Sequence, residues 1–289
     1  MFGFSISASA LGGHFQQLTE IKELKHGGQK AVYTAIHHTH GPVVLKLIPD
    51  SNTQRVLREI EIIRQNNFPN VPTIYEVGTV DIEGGKFLYA IEQWIDGEDL
   101  RTFIETQGKI PLPTVLCFME SILTTVVELE KKKIVHRDIK PDNVLHDTNG
   151  QFWLIDFGIA RDIANVSLTA TSANFAPHSA GYSPPEQFQN MKRLVDSRTD
   201  LFSIGVTAYE MIHGENPFLA GANSPLAVLM RTATVIEDPL KISGDTHNEL
   251  SAFIQTLMQK NPTFRPPSAA MALTWFKEIV KTINLKELS

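Results

Sequence analysis

The chain has 289 residues, of which 42% are hydrophobic and 20% charged, and its 26 basic and 32 acidic side chains give a net charge of −6. This balance argues against a disordered chain, which combines low hydrophobicity with high net charge. It also argues against a protein that coats nucleic acid, because no overall positive charge attracts phosphates. The length allows one large domain or about two average ones.

Cys117 is the only cysteine, so neither an intrachain disulfide nor a cysteine-based zinc site can form, and a reducing compartment is indicated. The apolar neighbours of Cys117 favour a buried small hydrophobe over a nucleophile. The first 13 residues lack the basic region of a secretory signal, and no window of about eighteen apolar residues follows. We therefore expect a cytoplasmic protein without a membrane span.

The first third of the chain has the pattern of short strands. Residues 31–36 and 43–48 are predicted strands joined by a turn at 39–42, and further strands are predicted at 73–80 and 86–91. Between them a helix is predicted over 51–64 from the spacing of its apolar residues.

Three histidines, His37, His38 and His40, surround the first predicted hairpin turn. Alternate residues of a strand point to opposite faces of a sheet. We therefore predict solvated turn residues here in preference to a metal site.

After residue 97 the pattern becomes mainly helical, with helices predicted over 112–133, 202–213, 248–259 and 269–283. The predicted fold class is α+β. A small β-rich lobe is followed by a larger helical lobe, and the junction between them falls near residues 93–97.

The sequence HRDIKPDN at residues 136–143 carries the strongest chemical signal, and DFG follows at 156–158 after the apolar run FWLI. Together with SPPE at 183–186, these motifs resemble the catalytic domain of serine/threonine protein kinases of the eukaryotic type. The motifs match in order over about residues 18–272, which makes the set far more specific than any one of them. The resemblance implies a bilobal kinase fold, in which a small antiparallel sheet with one main helix forms an N-lobe at about 18–93. A hinge at about 93–97 connects this lobe to a larger helical C-lobe at about 98–280, and the functional site is expected at their junction. The resemblance also implies the use of ATP and Mg²⁺, or Mn²⁺, to phosphorylate Ser and Thr hydroxyls of proteins.

The resemblance also assigns roles in the C-lobe. Asp138 accepts or orients the proton of the attacking hydroxyl, and Lys140 neutralises the γ-phosphate. Asn143 and Asp156 offer oxygen atoms to Mg²⁺, a hard cation that binds few protein oxygens together with phosphate oxygens.

In the N-lobe, Lys46 matches the strand lysine that holds the α- and β-phosphates. Its expected partner is Glu59 on the predicted helix, and Glu61 is the alternative. The two glutamates lie about 200° apart around a helix, so both cannot face the site. We favour Glu59.

Nucleotide binding is expected to use an apolar sandwich around adenine and backbone groups that bind its edge. The backbone groups belong to Gln93 and Ile95 in an alignment that places Glu92 at a position where similar kinases carry an apolar residue. The residues expected to sandwich adenine are Leu24, Val32, Val44 and Leu145.

The glycine-rich loop departs from the family pattern. Its three glycine positions fall at Lys25, Gly27 and Lys30, so only the middle glycine is kept, with Gly28 beside it. Gly27 and Gly28 are the expected phosphate contacts, because glycine lets backbone amides approach phosphate closely. Either the two lysines add charge to the phosphate site, or the loop is a surface turn that binds nucleotide loosely.

Three further residues are expected to support the C-lobe. Glu186 and Arg265 match a buried ion pair at the end of the activation segment, and Asp200 matches the aspartate that braces the catalytic loop. In similar kinases the residue at Arg137 binds a phosphorylated activation loop. We therefore expect autophosphorylation in the stretch that contains Ser167, Thr169, Thr171 and Ser172.

Two other functions are also compatible with the sequence. A pseudokinase or scaffold is suggested by the eroded glycine loop, although Lys46, Asp138, Asn143 and Asp156 are all kept. A small-molecule kinase shares the two lobes but usually lacks the SPPE-type segment and its arginine. The expected partners are protein substrates and a separate regulatory protein, with no nucleic acid.

Overall fold

The computed structural model describes residues 6–26, 30–49, 53–157 and 180–284. They fall into two compact units, divided between Ile95 and Asp96, and the predicted hinge contains this division. A five-stranded antiparallel sheet dominates the first unit, which we call the sheet unit, and helices dominate the second, the helical unit. The predicted α+β fold class is confirmed.

The strands of the sheet unit lie in the order β1-β2-β3-β5-β4, and every neighbouring pair is antiparallel. Two helices accompany the sheet, and both β2–β3 and β4–β5 are hairpins. The elements are α1 (Ala8–His14), β1 (Leu18–His26), β2 (Ala31–His37), β3 (Gly41–Pro49), α2 (Thr53–Asn66), β4 (Ile74–Ile82) and β5 (Gly85–Gln93).

The two faces of this sheet have different partners. One face packs against α1 in a hydrophobic core that contains Tyr33, Leu45 and Ile91. Because successive strand residues point to opposite faces, Val32, Val44 and Lys46 lie on the other face. There α2 packs through Ile60 against Leu88. The strand that carries Lys46 therefore contributes its other face, through Leu45, to the hydrophobic core.

Helix α1 was not predicted from the sequence, because Gly12 and Gly13 disfavour a helix and the segment is short. Tertiary burial outweighs this weak propensity. Leu11 is fully buried against the sheet, and Ser7 caps the helix by accepting a hydrogen bond from Ala10 N. The Tyr33 hydroxyl accepts a hydrogen bond from Ile6 N at 2.9 Å and donates one to Ile6 O at 3.0 Å.

The prediction of a solvated histidine turn was wrong for His37, which is buried and whose ring packs against those of His38 and His40. Its Nδ1 accepts hydrogen bonds from the backbone N–H groups of Thr39 and His40. Burial, followed by the neighbouring His40 and His38, lowers the pKa of His37. This ring is thus a turn-forming acceptor in its neutral state.

The helical unit is built around α6, which is buried along nearly its whole length and contacts α4 and α8, while α4 also contacts α9. A small sheet in the order β6-β7-β8 lies beside them. The elements are β6 (Gly97–Asp99), α3 (Leu100–Gln107), α4 (Leu112–Lys131), β7 (Val144–Asp147), β8 (Phe152–Leu154), α5 (Pro185–Phe188), α6 (Ser197–His213), α7 (Pro225–Thr234), α8 (Glu249–Leu257) and α9 (Ala269–Thr282).

Within the described residues, α4 alone is long and apolar enough to cross a membrane by length and composition. Most of it is buried, and it packs against α6 and α9 in the main hydrophobic core. Core helices share this composition, so the helix is weak evidence for a membrane span.

Helices α3 and α7 were missed, although each begins with a recognisable cap. The side chain of Asp99 accepts a hydrogen bond from Thr102 N, and that of Ser224 accepts one from Ala227 N. Helix α6 begins at Ser197 and not at residue 202, because Asp196 caps it by accepting from Arg198 N. The capping residues mark where these helices begin, and the prediction relied on apolar periodicity alone.

Replacement of Leu11 by Ala should lower the free energy of unfolding by about 2–5 kcal/mol, because it leaves a cavity between α1 and the sheet. Urea denaturation of the variant and the wild type measures this loss. The control is His14→Ala in the same helix, at an exposed position, where we expect a change within about 0.5 kcal/mol. Equal stability of the two variants would contradict the packing role of α1.

Candidate active site

The sequence-predicted catalytic loop, residues 136–143, lies between α4 and β7 and ends in a short 3-10 turn at Pro141–Asn143. The Nδ2 atom of Asn143 donates hydrogen bonds to the backbone oxygen and to Oδ2 of Asp138, both at 2.8 Å. These bonds orient the Asp138 carboxylate. They also leave Oδ1 of Asn143 as the acceptor atom of its amide.

The ammonium group of Lys140 lies close to the Asp138 carboxylate. The Nζ atom of Lys140 is 3.8 Å from Oδ2 of Asp138, and the two side chains are only 13% and 14% exposed. Because both groups are largely shielded from water, their attraction is screened less than at a surface. The loop therefore brings together Asp138, Lys140 and Asn143, as predicted from its motif.

Asp156 lies next to this cluster because the residue before it is hydrogen-bonded to the catalytic loop. Ile155 N donates to Asn143 O at 2.9 Å, which joins the segment that follows β8 to the catalytic loop. Asp156 itself has a positive φ of 60°, a conformation that a residue other than glycine adopts at an energetic cost. The backbone thus places the two predicted metal-binding residues, Asn143 and Asp156, on adjacent segments.

Asp200 of α6 holds the start of the catalytic loop. Its carboxylate accepts hydrogen bonds from the backbone N–H groups of His136 and Arg137, both at 2.8 Å. Complete burial raises the pKa of Asp200 to about 7, while the two backbone donors act in the opposite direction. The predicted bracing contact is therefore present, as two bonds to consecutive peptide groups.

Gln187 holds the same loop from another side, and the sequence did not single it out. Its Nε2 donates to the backbone oxygen of Arg137 at 2.9 Å. Arg137 has a φ of 67°, so this peptide is fixed in the left-handed region, which is unfavourable for arginine. Asp200 and Gln187 together bind both the N–H and the C=O of Arg137, the residue directly before Asp138.

The predicted ion pair between Glu186 and Arg265 is present and buried, with side chains 1% and 0% exposed. Arg265 donates to both carboxylate oxygens, at 2.6 and 3.0 Å. Its guanidinium also donates to three backbone oxygens, those of Gln259, Arg198 and Lys260. Burial lowers the pKa of Arg265, and Glu186 opposes this shift. The pair joins α5 to the segment that follows α8.

A second buried network was also missed. Arg101 of α3 donates to Glu210 at 2.7 Å and to the hydroxyl of Tyr182 at 2.5 Å, and that hydroxyl donates to Glu210. Burial and the Glu210 charge raise the pKa of Tyr182, so the phenol stays protonated. These residues lie far apart in the sequence, and only the fold shows that they meet.

In the sheet unit, Nζ of Lys46 lies 2.5 Å from Oε2 of Glu92, and both side chains are largely buried. Lys46 pairs with Ala90 and Val44 pairs with Glu92 across β3 and β5, so lysine and glutamate share one face. The side chain of the expected partner, Glu59, lies outside the described residues. Glu92 was noticed in the sequence only as a departure from the family pattern.

The residues expected to bind adenine divide between the units. Val32 and Val44 lie on the Lys46 face of the sheet, whereas Leu24 is 54% exposed beside an irregularity of β1. Gln93 N donates to Thr73 O at 2.8 Å, so its N–H is not available to a nucleotide. Ile95 is buried, and Leu145 lies in β7 of the helical unit.

Several residues that were predicted to bind or accept phosphate lie outside the described residues. Gly27 and Gly28 lie outside the described residues, as do the four expected phosphorylation sites at 167–172. In the part of the chain that the structure describes, no group of three or more His, Cys, Asp and Glu side chains could hold a metal ion. The oxygen donors of Asn143 and Asp156 are instead suited to a cation that is also bound by a phosphate group.

Comparison with known families agrees with this arrangement. The family model described as the protein kinase domain matches residues 18–276. The chain belongs to the protein kinase domain family. The two units and the catalytic loop are thus those of a kinase domain, as the resemblance implied.

Similar curated proteins are bacterial kinases. Serine/threonine-protein kinase PknB of Mycolicibacterium smegmatis is 30% identical over 89% of this chain. The probable serine/threonine-protein kinase CPE1738 of Clostridium perfringens is 29% identical over 95%, and SCO3848 of Streptomyces coelicolor is 32% identical over 74%. The matches cover 42%, 39% and 32% of these three proteins, so the chain corresponds to less than half of each.

Replacement of Arg265 by Met should lower the free energy of unfolding by about 3–5 kcal/mol, because the Glu186 carboxylate stays buried without its counter-charge. Chemical denaturation measures this loss. Lys281→Met is the matched control, since it breaks an exposed ion pair with Glu278 and should cost less than about 1 kcal/mol. Comparable losses in the two variants would show that burial of the Arg265 pair is unimportant.

Proposed function

We propose that this chain is an ATP- and Mg²⁺-dependent protein kinase that transfers the γ-phosphoryl group of ATP to Ser and Thr hydroxyls of proteins. The observation that carries the proposal is the cluster of Asp138, Lys140 and Asn143 on a loop fixed by Asp200. Family membership and the names of the bacterial relatives support the same activity.

The chemistry of the helical unit begins with Asp138. Its carboxylate, oriented by Asn143, takes the proton of a substrate hydroxyl as the hydroxyl oxygen bonds to the γ-phosphorus and the bond to the β-phosphate oxygen breaks. Lys140, on the same loop, supplies positive charge that stabilises the transferring phosphoryl group. Both side chains are largely buried, so their charges act with little screening.

The remaining residues bind the nucleotide and its metal. Lys46 of the sheet unit would hold phosphate oxygens of the nucleotide. The oxygens of Asn143 and Asp156 in the helical unit would hold Mg²⁺, or Mn²⁺, which accepts similar ligands. The bound cation would neutralise charge on the phosphates. The oxygen-rich donor set and the scarcity of protein ligands fit a cation shared with ATP.

Two features favour a protein kinase over the alternatives. The buried Glu186–Arg265 pair joins the end of the activation segment to the segment that follows α8, and small-molecule kinases usually lack both residues. Lys46, Asp138, Asn143 and Asp156 are all kept, whereas pseudokinases typically lose at least one such group. The proposal includes a cytoplasmic location, autophosphorylation within residues 167–172 and regulation by a separate protein.

Asp138→Asn should reduce the rate of phosphoryl transfer by about 10²–10⁴-fold, because the amide cannot accept the proton. Transfer from radiolabelled ATP to a generic protein, followed by phosphoamino-acid analysis, should give phosphoserine or phosphothreonine in the wild type only. Removal of divalent cations by a chelator should abolish transfer and addition of Mg²⁺ should restore it.

The exposed substitution Asp238→Asn is the matched control for this experiment and should leave the rate unchanged. Wild-type protein that binds ATP but shows no Asp138-dependent transfer would contradict the proposed function and favour a nucleotide-binding scaffold.

A further inference from the structure

The phosphate-binding lysine of the sheet unit has a carboxylate partner on its own sheet. Lys46 lies on β3 and Glu92 on β5, and these strands pair with Lys46 opposite Ala90 and Val44 opposite Glu92. Lys46 and Glu92 are therefore diagonal neighbours on one face, a spacing that long side chains can bridge. Their Nζ and Oε2 atoms are 2.5 Å apart.

Both charged groups are sheltered from water. The side chains of Lys46 and Glu92 are 11% and 15% exposed, so the pair is little screened by solvent. Separation of such a pair is costly, because each charge would be left poorly solvated in the fold. The position of the ammonium group is thus tied to the position of the Glu92 carboxylate.

The backbone on both sides of the pair is held by the sheet. Strand β3 lies between β2 and β5, and β5 lies between β3 and β4. The opposite face of the sheet packs Leu45 and Ile91, the sequence neighbours of Lys46 and Glu92, into the hydrophobic core under α1. The two residues of this ion pair therefore lie on two central strands of the sheet.

We propose that Glu92 is a positioning residue, a carboxylate supplied by the sheet that holds the Lys46 ammonium group in place for the phosphates of the nucleotide. An ammonium group has three N–H donors, so Lys46 can bond to Glu92 and to phosphate oxygens at the same time. This inference rests on the proposed function, because it assigns Lys46 to a nucleotide phosphate.

The proposal has a consequence for the helix glutamate. If the sheet holds Lys46, binding of the phosphates depends more on Glu92 than on Glu59. The negative charge of Glu92, at a position that similar kinases keep apolar, then serves to position the Lys46 ammonium group. Glu92 acts through Lys46 and not on the adenine ring, so its removal affects ligands with phosphates alone.

The test measures binding of ATP with Mg²⁺ and, separately, of adenosine, which lacks phosphates, by calorimetry on the full chain. Glu92→Gln keeps the shape of the side chain and removes its charge, and should weaken ATP binding about tenfold with adenosine binding unchanged. Glu92→Met, which places an apolar side chain at position 92, should weaken ATP binding at least as much. Glu83→Gln, an exposed change in the turn of the same hairpin, should leave both affinities unchanged.

A double-mutant cycle identifies the residue through which Glu92 acts. In a Lys46→Met background, Glu92→Gln should produce no further loss of ATP affinity, and Glu59→Gln alone should cost less than Glu92→Gln alone. Thermal melting of each variant confirms that it is folded.

Unchanged ATP affinity of Glu92→Gln, an equal loss for adenosine, or a larger loss in Glu59→Gln would overturn the inference. The readout is binding, so it does not depend on catalysis. A protein that binds ATP through Lys46 and Glu92 but transfers no phosphate would contradict the proposed function and leave this inference standing.

Discussion

The catalytic loop depends on the hydrogen bonds that its backbone donates to the buried carboxylate of Asp200. This carboxylate lies on α6, the most deeply buried helix of the helical unit, and accepts the backbone N–H groups of His136 and Arg137. Arg137 adopts a left-handed conformation, which is costly for a residue other than glycine and persists only where surrounding contacts hold it. Asp138, Lys140 and Asn143 lie on the loop that this attachment holds.

Other contacts secure the same loop from its surroundings. Gln187 binds the backbone oxygen of Arg137, and the neighbouring Glu186 is held by Arg265 in a buried pair. The loop is therefore bound to α6 by Asp200 and to α5 by Gln187, and α5 is in turn bound by Arg265. Charged groups that are costly to bury serve here to fix one arrangement of the backbone.

The sheet unit solves a similar problem with different means. One face of its sheet is apolar and shares a hydrophobic core with α1, and the other face carries the ion pair of Lys46 and Glu92. Leu45 and Ile91, the sequence neighbours of the two charged residues, lie in this core. Hydrophobic packing on one face thus helps to fix the strands that carry the charges on the other.

The parts of this structure that the sequence predicted are those with local signals. Strands β2–β5 follow from β-rich runs bounded by turn signals, and helices α2, α4, α6, α8 and α9 follow from apolar periodicity. The HRDIKPDN motif located the catalytic loop. Helix α1 was missed because its stability comes from burial of Leu11 and not from local propensity. The contacts of Gln187 with Arg137 and of Arg101 with Glu210 join distant segments, and no local pattern marks them.

Glu92 combines a feature that the sequence shows with a contact that only the fold shows. Its charge in an otherwise strand-like apolar stretch was visible in the sequence, but its pairing with Lys46 depends on the register of β3 and β5. A one-residue shift of that register would place the carboxylate on the opposite face. Register between strands that are not adjacent in sequence is set by packing of the whole sheet.

Hydrogen exchange at the His136 and Arg137 amides, measured together with phosphoryl transfer, tests the central claim most directly. In the wild type these two amides should exchange slowly. In Asp200→Asn, which offers one acceptor oxygen in place of two, they should exchange faster while transfer falls and the amides of α4 stay protected. Full transfer with freely exchanging loop amides, or lost transfer with the two amides still protected, would contradict the account.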